Sequence, residues 1–169
     1  LSNPFKDFKT LYNAYIKILH EQKNFLLIVV GDKESNLESR KFSKKFIFIN
    51  PSPQSEELIE YYSCADLYIQ SSNIETWGLA ISEALSCGLP VIASSVGAIP
   101  EQIKGFHRGN TNDPFNFYSI NKANGLLFEK NNEKSLQELI MWMFLNKNKM
   151  KQLSNNARSY AKNKLDINK

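Results

Sequence analysis

The chain has 169 residues, 42% of them hydrophobic and 22% charged, with a formal net charge of +4. That length holds one domain with its own core and is short for two, and the composition excludes a disordered or fibrous chain. The longest clean apolar run, Phe25 to Val30, has six residues, against the about 20 that a bilayer-spanning helix needs.

The elements follow in chain order. Phe8, Leu11, Tyr12, Tyr15, Ile16 and Leu19 recur at helical spacing and predict an amphipathic helix from about Asp7 to His20. FLLIVV is apolar at every position up to Gly31-Asp32, which predicts a strand covered on both faces, as in a parallel sheet. Leu37–Phe42 reads as a polar helical stretch and Phe46–Ile49 as a second strand. Ser55, with Glu57 and Leu58, opens a helix to about Ser63. Asp66–Gln70 is a short strand, Gly78–Cys87 a helix, Val91–Ala93 a strand and Ile99–Lys104 a helical turn. Gly125–Phe128 is the last strand, and Glu133–Leu145 and Lys149–Lys164 are terminal helices. Such alternation predicts an α/β fold with a doubly wound parallel sheet, Rossmann-like. The polar, aromatic stretch from Gly105 to Lys122 breaks the rhythm and reads as a mobile insertion loop over 105–122.

Positive charge is densest at Lys41–Lys45 and along Lys147–Lys164, where it reads as a solvated surface. No stripe interleaves basic and aromatic residues, so a nucleic-acid partner is not expected. Cys64 and Cys87 lie in helical surroundings without a CxxC spacing, the pattern of two buried, reduced thiols in a cytosolic protein. His20 and His107 are isolated, and no metal-ligand cluster is visible. The chain opens at Leu1 rather than at a methionine, which reads as part of a longer polypeptide.

The stretch from Ile74 to Glu101 carries the chemistry. Glu75 and Glu83 stand eight positions apart. Glu75 follows the strand DLYIQ, and in open parallel sheets ligands bind beyond such strand ends. Trp77-Gly78-Leu79 leads from loop into helix, where unpaired backbone N–H groups and the positive dipole end make a seat for phosphate. Taken singly, Glu75 is a carboxylate favoured by the helix dipole and Glu83 a solvated helix residue. Two turns of helix, however, leave Glu83 within about 80° of the same side. With the Gly88-Leu89-Pro90 stop and the Gly97–Glu101 turn, the arrangement suits a phosphate flanked by hydroxyl groups, as in a nucleotide sugar.

Two other readings compete. A glycoside hydrolase would use Glu75 and Glu83 as acid and base, although the glycine-led helix would then have no task. A module that only binds a nucleotide is the other. A receiver or flavodoxin-like domain would need an acidic cluster that this chain lacks.

These residues resemble the donor-binding signature of retaining GT-B glycosyltransferases of family 4, E-x-F/W-G-L-x-x-x-E-A-x-x-x-G-x-P-V-I-A. The match falls at Glu75, Trp77, Gly78, Leu79, Glu83, Ala84, Gly88, Pro90, Val91, Ile92 and Ala93. LLIVVGD resembles the family's second strand of the C-terminal domain, and NGLLFE its G-x-L-F strand. EELIEYYSCADLYIQSS resembles L-x-x-x-Y-x-x-A-D-x-x-x-x-P-S, with Ser71-Ser72 where Pro-Ser is usual. LSNPFKDFKTLYNAY is similar to the end of R-L-x-x-x-K-G-x-x-x-L-I-x-A, with Asp7 in place of the glycine.

The resemblance covers nearly the whole chain and implies one donor-binding domain over 1–169, truncated at both ends. The first strand, the acceptor-binding N-terminal domain and an arginine partner of Lys6 would precede Leu1. It implies transfer of a sugar from a nucleoside diphosphate with retention of configuration and without a cofactor or bound metal. Lys6 would contact the diphosphate, Glu75 a hydroxyl of the donor sugar, and Glu83 the ribose hydroxyls. The backbone of Thr76, Trp77, Gly78 and Leu79 would hold the sugar and diphosphate, and groups near Ile49 and Asn50 the base. UDP is favoured over GDP on frequency alone. By analogy with such enzymes, the partners are a nucleotide sugar and the acceptor domain, and the product is a bacterial surface polysaccharide or glycolipid. The location implied is the cytoplasm, with peripheral contact of the full-length enzyme at the inner face of the membrane.

Overall fold

The computed structural model describes residues 4–31, 44–49, 55–105 and 120–165. Its elements are α1 (Phe8–Glu21), β1 (Leu27–Val30), β2 (Phe46–Ile49), α2 (Ser55–Cys64), β3 (Tyr68–Gln70), α3 (Leu79–Ser86), β4 (Val91–Ser94), α4 (Ile99–Gln102), β5 (Gly125–Phe128), α5 (Glu133–Leu145) and α6 (Lys147–Lys164). All strand pairs are parallel, as the continuous apolar runs predict. Every residue of β4 and of β5 is buried, which is what helices on both faces of a sheet require.

The described strands form two sheets. β1 pairs with β2 from Leu27↔Phe46 to Val30↔Ile49. β4 lies between β3 and β5, with Tyr68↔Val91 and Val91↔Gly125 setting the registers. Helix α1 spans both sheets. Its Ala14 and Ile18, with Leu11, join the core of Ile92, Leu126, Phe128 and α5. Its Tyr15 and Leu19 join Phe46 beneath β1 and β2. A fully buried Ile or Leu contributes about 1.5–3 kcal/mol, so the two stripes of one amphipathic helix hold the sheets together.

The carboxyl end of α3 shows how sequence stops a helix here. Gly88 takes φ +76°; its N–H donates to the Leu85 carbonyl (3.0 Å) and that of Leu89 to the Ala84 carbonyl (2.9 Å). This pair of bonds is the Schellman closure, which favours glycine at the left-handed position. The chain then turns straight into β4. On the other side of α3, Ala157 and Ala161 of α6 pack with Ile81, Ala84 and Leu85; small side chains let the two helices approach closely.

Several element bounds move by a residue or two, as helix ends do. Asp7 lies outside α1 as its N-cap: a side-chain oxygen accepts from the Thr10 N–H at 3.1 Å. The thiols correct an expectation. Cys64 and Cys87 are free but exposed; each stands at the carboxyl end of a helix. The helical stretch expected over Leu37–Phe42 and most of the 105–122 loop lie outside the described residues.

Candidate donor site

The site forms where β3 ends. Beyond Gln70 the loop Ser71–Glu75 is fastened on two sides. Toward the sheet, Ser94 at the end of β4 holds Ser72 twice: its Oγ accepts from the Ser72 N–H (2.9 Å) and donates to the Ser72 carbonyl (2.8 Å). Toward the N-terminal segment, Asp7 N–H donates to the Ser71 carbonyl (3.0 Å) and Asn73 N–H to the Phe5 carbonyl (2.9 Å). Lys6 and Ser72 thereby form an antiparallel bridge. Two segments more than sixty residues apart in sequence are thus laid edge to edge.

That pairing brings Lys6 onto Glu75. The ammonium lies 2.8 Å from Glu75 Oε2, and the side chains are 45% and 15% exposed. The same oxygen accepts from Gln70 Nε2 at 2.9 Å. The sequence places Lys6 and Glu75 in separate roles; the structure places them in contact, with their charges offsetting each other.

Gly97 supports this corner from behind. It takes φ +52°, and a Cβ built there would lie 1.7 Å from the Glu75 carbonyl oxygen. Only a glycine lets the Gly97–Glu101 turn approach so closely, so the turn acts as a backstop for the Glu75 peptide.

Glu83 is exposed on α3, and its Oε2 accepts from the Tyr62 hydroxyl at 2.9 Å. The Tyr62 phenol is pushed well above the usual tyrosine range, chiefly by burial and then by Tyr68 and Glu83, so it stays a donor at neutral pH. Tyr62 meets Tyr68 edge to face, with ring centroids 5.8 Å apart.

The start of α3 differs from the expected row of free amides. Leu79 N–H donates to the Trp77 carbonyl at 2.9 Å. Gly78 is clasped by Gln102, whose side chain is fully buried. The Trp77 indole N–H can only donate, so the Gln102 amide oxygen faces it (3.3 Å) and also accepts from Gly78 N–H (3.1 Å). Its nitrogen then donates to the Gly78 carbonyl (3.2 Å). Asn124 in turn donates to the Gln102 carbonyl at 3.0 Å. The amides a helix start leaves without intrahelical partners are therefore those a residue further in, at Ala80 and Ile81. Trp77 and Leu79 are exposed, at 43% and 70%, and Thr76 is exposed beside them.

Ile49 ends β2, and its carbonyl accepts from Gly31 N–H at 3.3 Å. Asn50 lies outside the described residues. The structure thus brings Lys6, Glu75 and the Thr76–Leu79 loop together at the carboxyl end of β3, with Glu83 joined to them through Tyr62 and Tyr68. Sequence reasoning missed Gln70, Tyr62, Tyr68, Gln102 and the contact made by Gly97. Among the side chains missed, only Tyr62, which falls on the tyrosine of L-x-x-x-Y-x-x-A-D, offered a signal. Among the described residues no group of three His, Cys, Asp or Glu side chains could hold a metal ion, and no helix is long and apolar enough to cross a membrane.

Parallel strands wrapped by helices, with the polar groups gathered beyond the strand ends, define a Rossmann-like half of a GT-B architecture. The chain belongs to the glycosyl transferases group 1 family, whose model matches residues 3–160. It is 41% identical over 63 residues to the sulfoquinovosyl transferase SQD2 of Arabidopsis thaliana, a match that covers 37% of this chain and 12% of that protein. Among solved structures it is similar to the C-terminal domain of the group 1 glycosyl transferase LpcC from Francisella tularensis (TM-score 0.76, 21% identity), covering 98% of this chain and 83% of that one. It is also similar to Anabaena HepE in complex with UDP-glucose (TM-score 0.75, 20% identity), covering 99% of this chain and 43% of that one.

Proposed function

We propose that this chain is the donor-binding half of a retaining glycosyltransferase, which holds a nucleoside-diphosphate sugar for transfer to an acceptor bound by a second domain. The observation that carries the reading is the Lys6–Glu75 pair, 2.8 Å apart beside the start of α3, in a chain of this family. When the bond from sugar to diphosphate breaks, positive charge grows on the sugar ring and negative charge on the departing diphosphate. The Lys6 ammonium and the Ala80 and Ile81 amides oppose the second charge. Glu75 accepts from a sugar hydroxyl and Glu83 from the ribose. Donor binding then replaces the Lys6–Glu75 contact with two contacts to one ligand.

UDP is the favoured nucleotide, in line with the UDP-glucose held by the HepE neighbour. The acceptor we place among bacterial surface polysaccharides and glycolipids, a reading supported by Lys-, Asn- and Ile-rich usage, which fits an AT-rich bacterial genome. The full enzyme then works in the cytoplasm, in contact with the membrane face.

Calorimetric titration with UDP, GDP, UDP-glucose and GDP-mannose tests the proposal. Glu83→Ala weakens nucleotides and nucleotide sugars alike, by about tenfold, the loss of one charged hydrogen bond. Glu75→Ala weakens only the nucleotide sugars. Failure of every nucleotide to bind, or release of the phenol from an aryl glycoside by the chain, overturns the reading. Family membership already speaks against the hydrolase.

A further inference from the structure

Gln70 is the last residue of β3, and only 5% of it is exposed. The resembled pattern leaves this position open, so its amide is a feature of this chain. Its Nε2 donates to Glu75 Oε2 (2.9 Å) and to Ser72 Oγ (3.2 Å), and its Oε1 accepts from the Tyr68 hydroxyl. Chemistry sets that orientation. A carboxylate only accepts, so the amide nitrogen must face Glu75, which leaves the oxygen for the Tyr68 O–H.

Tyr68 is kept as a donor by its surroundings. Burial, and after it the negative charges of Glu83 and Glu75, push its phenol well above the usual tyrosine range. Its edge-to-face contact with Tyr62, which holds Glu83, completes a chain of contacts from Glu75 through Gln70, Tyr68 and Tyr62 to Glu83.

The two holders of Glu75 differ in kind. Lys6 is 45% exposed on a long, flexible stem, and a diphosphate draws its ammonium away. Gln70 is buried, anchored at its other end, and has no such competing ligand. Both bond to Oε2, which leaves Oε1 for a sugar hydroxyl.

We propose that Gln70, oriented by Tyr68, is a positioning residue that keeps the Glu75 carboxylate set for the donor sugar when Lys6 turns to the diphosphate. This inference rests on the reading of Glu75 as the grip on the sugar.

The test compares the affinities of UDP-glucose and UDP for the parent chain, Gln70→Leu, Tyr68→Phe, the double variant and Glu75→Ala. Gln70→Leu lowers UDP-glucose affinity about five- to tenfold, one charge-assisted hydrogen bond, and leaves UDP affinity unchanged. Tyr68→Phe acts in the same direction but less, and the double variant equals Gln70→Leu, because Tyr68 acts only through Gln70. In the parent, UDP moves the Gln70 side-chain amide resonance as Lys6 leaves Glu75, and UDP-glucose moves it further, a readout that needs no variant to fold. Glu75→Ala erasing the preference for UDP-glucose while Gln70→Leu and Tyr68→Phe keep it overturns this inference alone; so does a Gln70 resonance that does not respond to the sugar. A parent that does not distinguish UDP-glucose from UDP removes the reading of Glu75, and this inference with it.

Discussion

Replacing Gly97 by alanine tests whether the turn behind the site sets the position of Glu75. The added Cβ would stand 1.7 Å from the Glu75 carbonyl oxygen, where real contacts are not found below 3.0 Å. The Glu75 peptide or the turn must therefore give way by at least 1.3 Å (3.0 less 1.7). A displacement of that size takes the Glu75 carboxylate out of hydrogen-bond reach of Lys6 and Gln70, now at 2.8 and 2.9 Å. The left-handed backbone at φ +52° adds about 1–2 kcal/mol for any residue with a Cβ. We expect a loss of about 2–4 kcal/mol in stability from strain and displacement together. UDP-glucose affinity relative to UDP should fall about 10- to 100-fold, the range that a misplacement of about 1 Å produces. Gly125→Ala is the control. Its Cβ would also strike backbone, 2.5 Å from the Val91 carbonyl oxygen, but between β4 and β5, so it should lower the melting temperature and spare the ratio. A Gly97→Ala chain that melts as the parent does and keeps the UDP-glucose to UDP ratio would refute the backstop argument.

Two further outcomes follow from the same geometry. Gln102→Leu removes three hydrogen bonds from Gly78 and Trp77; it should destabilise the fold by about 1–3 kcal/mol and shift the emission of Trp77, one of two tryptophans. Unchanged fluorescence and an unchanged melting temperature would show that Gln102 does not clasp the loop. Tyr15 should make the fold sensitive to alkali. Burial raises its phenol from 10.0 to about 12, partly countered by a backbone hydrogen bond from Leu27, so its neutral form is favoured in the folded state. That contribution is whole below pH 10, the unfolded value, and is lost as pH rises toward 12. Chemical denaturation across this window should show a smaller decline for Tyr15→Phe than for the parent, and equal declines would assign the alkali sensitivity elsewhere.

Much of the architecture is legible one residue at a time. Val91–Ala93 and Gly125–Phe128 announce buried parallel strands because a strand covered on both faces cannot alternate; FLLIVV announces a parallel strand too, but Leu26 and Val30 are exposed, against the cover expected on both faces. The spacing of Phe8 through Leu19 marks α1, and Gly88-Leu89-Pro90 marks the end of α3, because those effects are local. The thiols show where local reasoning fails: helical surroundings without a CxxC spacing suggested burial for Cys64 and Cys87, but burial depends on what packs against a helix end.

The alternation of strands and helices, the family signature from Glu75 to Ala93 and the choice of Lys6, Glu75 and Glu83 as the charged groups of the proposed site can all be read from local sequence. Their arrangement cannot, because it depends on contacts between distant segments. Lys6 meets Glu75 because residues 5–7 pair with 71–73, a hydrogen-bonded contact between distant segments that no local spacing encodes. Gln70, Tyr68, Gln102 and Gly97 are ordinary residues in the sequence. They acquire roles because a buried amide, phenol or bare backbone must satisfy whatever the fold brings against it, and here the fold brings Glu75, Gly78 and Trp77.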